Sequence, residues 1–270
     1  PHTTNPTCRA RRHVTGLAPS GCGGVGGMSD SETITVPDLL RGYPGVAFGG
    51  YVAGVLARRA AAGSVRVDFR RPTPVEVPVG LARTADGGAV LTGADGVLAA
   101  AVPDEADPAA LGVPAPPSWA EASAAAEAYR AAPPTGSVDC FGCGLGRTPD
   151  TGLRLHCGSV PGRDLVATAW TPGPALADAD GTLPPELVWG ALDCPGNAAG
   201  RLLGTMREGA VTASLAARLL RPVPVSARLV SYAWVVAEEG RKHRVGAALA
   251  TADGDLCGIS AALWVTPRRP

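Results

Sequence analysis

The stretch VAFGGYVAGVLARRAAAGSVRVDFRRPTPVEVPV, residues 46–79, describes an apolar helix followed by strands, and its pattern occurs a second time in the chain. The second copy reads LVWGALDCPGNAAGRLL at residues 187–203 and TASLAARLLRPVPVSARLV at residues 212–230. Each copy contains a glycine-bearing apolar helix, a strand that ends in Arg-Pro-x-Pro, an Asp-Gly turn and a final apolar strand. Such repetition predicts two units of the same structure.

Alternating residue types identify the strands of each unit. Val65, Val67 and Phe69 alternate with charged residues, which is the period of a half-buried strand. Pro72 ends this strand, because proline has no N–H to donate to a neighbouring strand. The Asp-Gly pairs tolerate a positive φ and reverse the chain between antiparallel strands. The sequence therefore predicts an α+β fold with one helix against an antiparallel sheet in each unit.

The repeat also sets the expected domains. We predict an N-terminal unit over residues 28–103 and a C-terminal unit over residues 138–270. Residues 104–137 are rich in proline at both ends and are predicted as a linker that contains one helix. Ser118 and Glu121 have the spacing of a capping box and indicate where that helix begins.

Residues 1–27 lack the apolar period of either a helix or a strand. They also lack the continuous apolar stretch of about 7 to 15 residues that a secretory signal requires. We interpret them as a disordered tail or a non-native N-terminal extension, with Met28 as the start or a domain edge, and exclude them from the fold.

The composition excludes several classes of function. The 24 basic and 24 acidic residues cancel, so the chain has no overall field to attract nucleic acid or an anionic membrane. The chain contains no apolar run of about 18 residues, the length that spans a bilayer. Seven cysteines, an odd number, favour reduced thiols over a disulfide framework. We therefore expect a cytoplasmic protein that binds neither nucleic acid nor a membrane.

The order of these motifs resembles the acyl-CoA thioesterase II type of double-hotdog protein. FGGYVAGVLARR (48–59) is similar to the helix of the N-terminal hotdog unit, and PPELVWGALDCPG (184–196) and DGDLCGISAALWV (253–265) are similar to parts of the catalytic unit. CFGCGLGRTPDTGLRL (140–155) resembles the Cys-Phe-x-Cys-Gly segment before the first strand of many single-hotdog proteins. The resemblance covers roughly residues 33–266. It implies a tandem hotdog with two antiparallel sheets, each wrapped round a central helix, that pair edge to edge.

The resemblance also implies a catalytic carboxylate on or near the central helix, and Asp193 matches it. This aspartate lies in an otherwise uncharged run, where desolvation would raise its pKa and make it a general base or a nucleophile. The alternative is that Asp193 caps a helical segment that begins after Pro195. The helix of the first unit has no carboxylate, so we expect one active site per chain.

Several further residues are assigned to substrate binding. Gly49 and Gly50 at the start of the first helix leave backbone N–H groups that suit the carbonyl oxygen of a thioester. The alternative is that these glycines only allow the helix to pack closely on the sheet. Tyr51, Trp189 and Arg221 complete the assignment, and the guanidinium of Arg221 is a candidate partner for the phosphates of coenzyme A.

In the family that the chain resembles, a threonine or serine and a glutamine assist the acid. Thr212 matches the hydroxyl position, with Ser214 as the second candidate, although a strand hydroxyl also serves as ordinary hydrogen-bonded structure. The glutamine position falls at Ala262, which has no amide to position water or the carbonyl. This departure leaves both reduced hydrolysis and a loss of activity open.

The sequence disfavours a structural zinc site. Cys140 and Cys143 are followed by His156 and Cys157, a set that contains typical zinc ligands. Adjacent residues of a strand point to opposite faces, so only one of His156 and Cys157 could join the CxxC pair. We expect no metal and no other cofactor. The histidines lie outside the helix motifs, which also disfavours a hydratase.

Two functional hypotheses follow from the sequence. The first is a thioester hydrolase that acts on acyl-CoA or acyl-carrier thioesters through Asp193. The alternative is a non-catalytic double-hotdog protein that binds acyl thioesters or a protein partner, as the alanine at position 262 would suit. A homo-oligomer formed through the outer surfaces is compatible with both hypotheses.

Overall fold

The computed structural model describes residues 31–62, 64–136 and 139–268, so the predictions made for residues 1–27 lie outside the described residues. The described residues form one antiparallel sheet of 11 strands and three α-helices. Within this part of the chain, none of the helices combines the length and the apolar character that crossing a bilayer requires.

The first five strands and one helix make up the N-terminal half of the sheet. Their order across the sheet is β1-β3-β4-β5-β2, and the glycines of the Asp-Gly turns, Gly87 and Gly96, have the positive φ that the sequence predicted. The helix buries Val52 and Leu56 against this half. The elements are β1 (Ser31–Thr35), α1 (Gly49–Arg59), β2 (Val65–Phe69), β3 (Pro78–Arg83), β4 (Ala89–Gly93) and β5 (Gly96–Pro103).

The remaining six strands continue the sheet in the order β8-β11-β10-β9-β7-β6. A long central helix, α3, packs against them. The elements are β6 (Gly158–Ser159), β7 (Val166–Trp170), α3 (Pro185–Leu202), β8 (Val211–Leu219), β9 (Leu229–Glu239), β10 (Lys242–Thr251) and β11 (Leu256–Val265).

Helix α3 continues through an internal proline. Pro195 has no N–H to donate to the carbonyl of Ala191, and the hydroxyl of Ser231 on β9 donates to that carbonyl instead, at 3.1 Å. Because the helix is unbroken from Pro185 to Leu202, Asp193 lies in its interior. The alternative that Asp193 caps a segment beginning after Pro195 is therefore wrong.

The two halves are joined through β2 and β8. Val67 lies opposite Leu215 in this antiparallel pair, and Asp68 lies opposite Ser214. The sequence predicted that the sheets of the two units pair edge to edge, and this pairing joins them into one continuous sheet of 11 strands. The physical reason is that each half would otherwise leave a strand edge with unpaired N–H and C=O groups at the junction.

The two central helices touch backbone to backbone. A Cβ atom placed on Gly50 would lie 2.6 Å from the Cα of Gly190, and one placed on Gly54 would lie 2.4 Å from the Cα of Glu186. Glycine is therefore required at both positions of α1 because α3 leaves no room for a side chain. The close packing that these glycines permit is between helices, rather than between helix and sheet.

A third helix, α2 (Trp119–Ala131), lies within the predicted linker. The capping box of Ser118 and Glu121 is confirmed at its start. Ala122 and Ala125 pack with residues such as Tyr232 on the face of the sheet opposite α3. The helix is therefore part of the packed structure and buries the second face of the C-terminal strands.

We predict that Gly54→Ala lowers the free energy of unfolding by roughly 1–2 kcal/mol, because overpacking against the α3 backbone outweighs the gain of about 1 kcal/mol in helix propensity. Urea denaturation measures the change. Gly146→Ala is the control, since its Cβ would meet only the Asp139 carboxylate, at 3.9 Å. Equal stabilities of the two variants would contradict the backbone contact.

Candidate active site

Asp193 lies where α3 crosses the start of α1, and it is 1% exposed. The hydroxyl of Thr212, at the start of β8, donates to its Oδ1 atom at 3.0 Å. The backbone N–H of Gly50 on α1 donates to the same carboxylate. The fold thus brings together Asp193, Thr212 and Gly50, each of which was predicted as a site residue from the sequence. Both halves of the protein contribute to this arrangement.

A β-bulge places Thr212 at this point. Ser214 lies opposite Leu263 and Thr212 lies opposite Trp264, so Ala213 is left over in the pairing of β8 with β11. Leu215 is fully buried in the core of the N-terminal half, and the neighbouring Ser214 therefore faces the other side of the sheet. The structure brings the hydroxyl of Thr212, and not that of Ser214, to the carboxylate.

The surroundings of Asp193 shift its proton affinity. Burial raises the pKa of this carboxyl to about 7, and the neighbouring Cys140 contributes in the same direction. The hydrogen bonds from Thr212 and Gly50 act the other way, because they stabilise the charged form. The result is a buried acid group whose ionised form is held by two donors.

The carboxylate borders a cavity of about 290 Å³ between the two halves. Gly49 and Thr212 also line it, and a Cβ placed on Gly49 would lie 3.3 Å from Asp193 Oδ2. Much of the wall is apolar, with side chains from both halves: Val46, Phe48, Val52, Phe69, Val211 and Trp264. An apolar cavity with a few converging polar groups is typical of a small-molecule site.

Three arginines give part of the cavity wall a positive charge. Arg70 and Arg71 follow β2, and Arg201 lies near the end of α3. They were not predicted as binding residues, although the Arg-Pro-x-Pro pattern marks the end of the strand that precedes Arg70 and Arg71. The cavity therefore combines an apolar wall, an acid and cationic groups.

The other assigned binding residues lie outside this cavity. Trp189 is buried in the core of the N-terminal half, and Tyr51 is partly buried against both cores. Arg221 pairs with Asp255 at 3.0 Å. It lies two residues beyond the far end of β8, and the strand from Thr212 to Leu219 spans about 23 Å. Separation along the strand and the packing of the helices explain why these three are not brought to the carboxylate.

A group of thiols also lies at the site and was not predicted there from the sequence. Cys140, Cys143 and Cys194 all line the cavity, and Cys194 directly follows the acid on α3. Of the two residues weighed earlier as partners of the CxxC pair, His156 stacks on Tyr129 and Cys157 is buried in the core. The sequence feature that could have indicated this group is the cysteine that directly follows Asp193 in the apolar helix.

Known structures share this architecture. One is a protein from Thermobifida fusca described as a thioesterase II, with 17% sequence identity and a TM-score of 0.57. The match covers 88% of this chain and 94% of that protein. The TesB protein of Mycobacterium avium subspecies paratuberculosis is 16% identical over 88% of this chain and 93% of its own, with a TM-score of 0.56. A Novosphingobium aromaticivorans protein described as a thioesterase is 16% identical over 89% of this chain and 97% of its own, with a TM-score of 0.54.

The likeness to these proteins extends over both halves of the chain. It shows that this protein shares their fold, the double hotdog that the order of the sequence motifs indicated. No protein-family model and no curated protein sequence matches the chain.

We predict that Thr212→Val lowers the free energy of unfolding by about 1–2 kcal/mol, because a buried carboxylate loses one of its hydrogen-bond donors. Thr212→Ser keeps a hydroxyl at the same place and is the control. Urea denaturation of both variants at pH 8 measures the difference. A Val variant as stable as the Ser variant would show that this hydrogen bond does not support the carboxylate.

Proposed function

We propose that this protein is a thioester hydrolase that acts on acyl-CoA or acyl-carrier thioesters, with Asp193 as its catalytic acid-base group or nucleophile. The observation that carries the proposal is a buried carboxylate, held by Thr212 and the N–H of Gly50, at the wall of a cavity between the two halves. A structural role alone gives no reason to keep a charged group in such a place, since burial without function favours an uncharged residue.

The chemistry follows from the position of these groups. Gly49 has no side chain, so a thioester carbonyl can approach the backbone N–H groups at the positive end of α1. Asp193 takes a proton from water as the water oxygen attacks the carbonyl carbon. The carbon–sulfur bond then breaks, and the protonated acid returns the proton to the departing thiolate. Direct attack by the carboxylate, followed by hydrolysis of the anhydride, gives the same products.

The wall of the cavity supports a substrate with two parts. Its apolar side chains suit an acyl chain, and Arg70, Arg71 and Arg201 suit a phosphorylated carrier. Arg71 also donates to the carbonyl of Val97 at 3.2 Å, which holds its side chain in place. This division of the cavity supports acyl-CoA or an acyl carrier over a small uncharged ester.

A second candidate, an acyl-thioester binder without activity, is favoured by the residue at the glutamine position. Ala262 packs into the core and offers no side-chain hydrogen bond.

Trp264 lies two residues further on the same face of β11 and lines the cavity, and its buried Nε1–H has no partner among the described residues. We infer that this indole N–H takes over part of the missing amide's role in the hydrolase.

The proposal includes a cytoplasmic location. The five cysteines in the described part of the chain are all free, as expected in a reducing compartment.

We predict that Asp193→Asn lowers kcat by about 10²- to 10⁴-fold, because the amide cannot accept a proton or attack the carbonyl. The measurement is thiol release from a panel of short, medium, long and aromatic acyl-CoAs. Asp255→Asn is the control, since that carboxylate is exposed and remote from the cavity. Full activity of Asp193→Asn would refute the assignment, and wild-type binding of acyl-CoA without turnover would establish the binder.

We predict that Trp264→Phe, which keeps an aromatic ring and removes the N–H, lowers kcat/KM by roughly tenfold, as the loss of one hydrogen bond implies. Trp234→Phe is the matched control, because this tryptophan packs on the other face of the sheet. Steady-state kinetics on the best acyl-CoA of the panel gives the comparison. Equal effects of the two substitutions would contradict the role given to Trp264.

A further inference from the structure

Three thiols from distant parts of the chain meet beside the cavity. Cys140 and Cys143 belong to the turn that leads into the C-terminal strands, and Cys194 lies on α3. Their sulfur atoms all lie within 4.8 Å of one another. Among the residues that the structure describes, no carboxylate or imidazole joins this group.

The turn of the CxxC pair is organised around the sulfur of Cys140. The backbone N–H of Gly142 donates to this Sγ at 3.2 Å, and the N–H of Cys143 donates to it as well. The N–H of Gly144 closes the turn on the carbonyl of Cys140 at 2.7 Å. Backbone donors of this kind stabilise a thiolate, which is the form that binds a metal.

The same turn packs closely against α3. A Cβ placed on Gly142 would lie 2.9 Å from Cys194 Sγ and 2.9 Å from Phe48 Cζ. Glycine at this position therefore allows the turn to bring its two sulfur atoms up to the third. Packing thus supports the convergence independently of the CxxC spacing.

We propose that Cys140, Cys143 and Cys194 bind one zinc ion as thiolates. A zinc–sulfur bond of about 2.3 Å in a tetrahedral site separates the sulfur atoms by about 3.8 Å, so only a small contraction of the observed group is needed. A purely thiolate set selects a soft or borderline ion such as Zn²⁺ over Mg²⁺ or Ca²⁺.

The fourth coordination position faces the cavity. All three cysteines line it, and Cys143 is the most exposed of them, which leaves a path for the ion. Three protein ligands with one open position are typical of zinc sites that take an exogenous ligand, here water or a small thiol. The ion would also fasten the CxxC turn to α3, next to Asp193. This inference does not depend on hydrolase activity.

The test uses the full chain with Cys8→Ser and Cys22→Ser, so that thiols outside the described residues cannot bind metal. The reduced protein is dialysed against buffer that contains zinc and then against buffer without it, and the bound metal is measured by mass spectrometry. We expect one zinc per chain, and loss of the zinc in Cys140→Ser and in Cys194→Ser. Cys257→Ser is the control and keeps the zinc, because Cys257 lies on β11 and does not line the cavity.

Circular dichroism shows whether each serine variant folds. A second measurement, on the protein that keeps all three cysteines, tests the proposal even if a serine variant does not fold. Cobalt added to the zinc-free protein should give a thiolate-to-cobalt charge-transfer band and the visible bands of tetrahedral cobalt, and zinc should displace both. The proposal is overturned if the reduced protein takes up no zinc, if a folded Cys194→Ser keeps it, or if the cobalt complex lacks the thiolate band.

Discussion

The backbone contact between α1 and α3 is the constraint on which the rest of this structure depends. Gly50 and Gly190 meet without side chains between them, so the first turn of α1 comes within hydrogen-bonding distance of a carboxylate on α3. Pairing of β2 with β8 holds the two halves in the register that this contact needs. A bulkier residue at Gly50 would meet the Gly190 backbone, separate the helices and remove a donor from Asp193.

Burying the carboxylate of Asp193 costs the fold free energy. Burial raises the pKa of Asp193 because the low-dielectric surroundings disfavour its charge. The hydroxyl of Thr212 and the N–H of Gly50 offset part of that cost, and both reach the carboxylate only in the folded arrangement. The site thus combines an acid whose pKa suits proton transfer near neutral pH with donors that keep it oriented.

The two repeats contribute different groups to one site. Asp193 lies eight residues after the start of α3, and the matching position of α1 is Ala57. At the other end of the helix crossing, Glu186 takes the position that Gly50 has in α1, and it pairs with Arg58. The C-terminal repeat therefore supplies the acid and the N-terminal repeat the backbone donor, whereas Ala57 leaves the equivalent position of α1 without a carboxylate.

By itself the sequence determined the repeated units and the helix that carries Asp193, because periodicity, turn residues and motif order are local properties of the chain. The family resemblance left Thr212 and Ser214 as two candidates for the hydroxyl. Only the tertiary structure decided that α2 packs on the second face of the sheet and that Cys194 joins the CxxC pair. A bulge decided between Thr212 and Ser214. These outcomes depend on contacts between residues far apart in the chain, which spacing along a sequence does not encode.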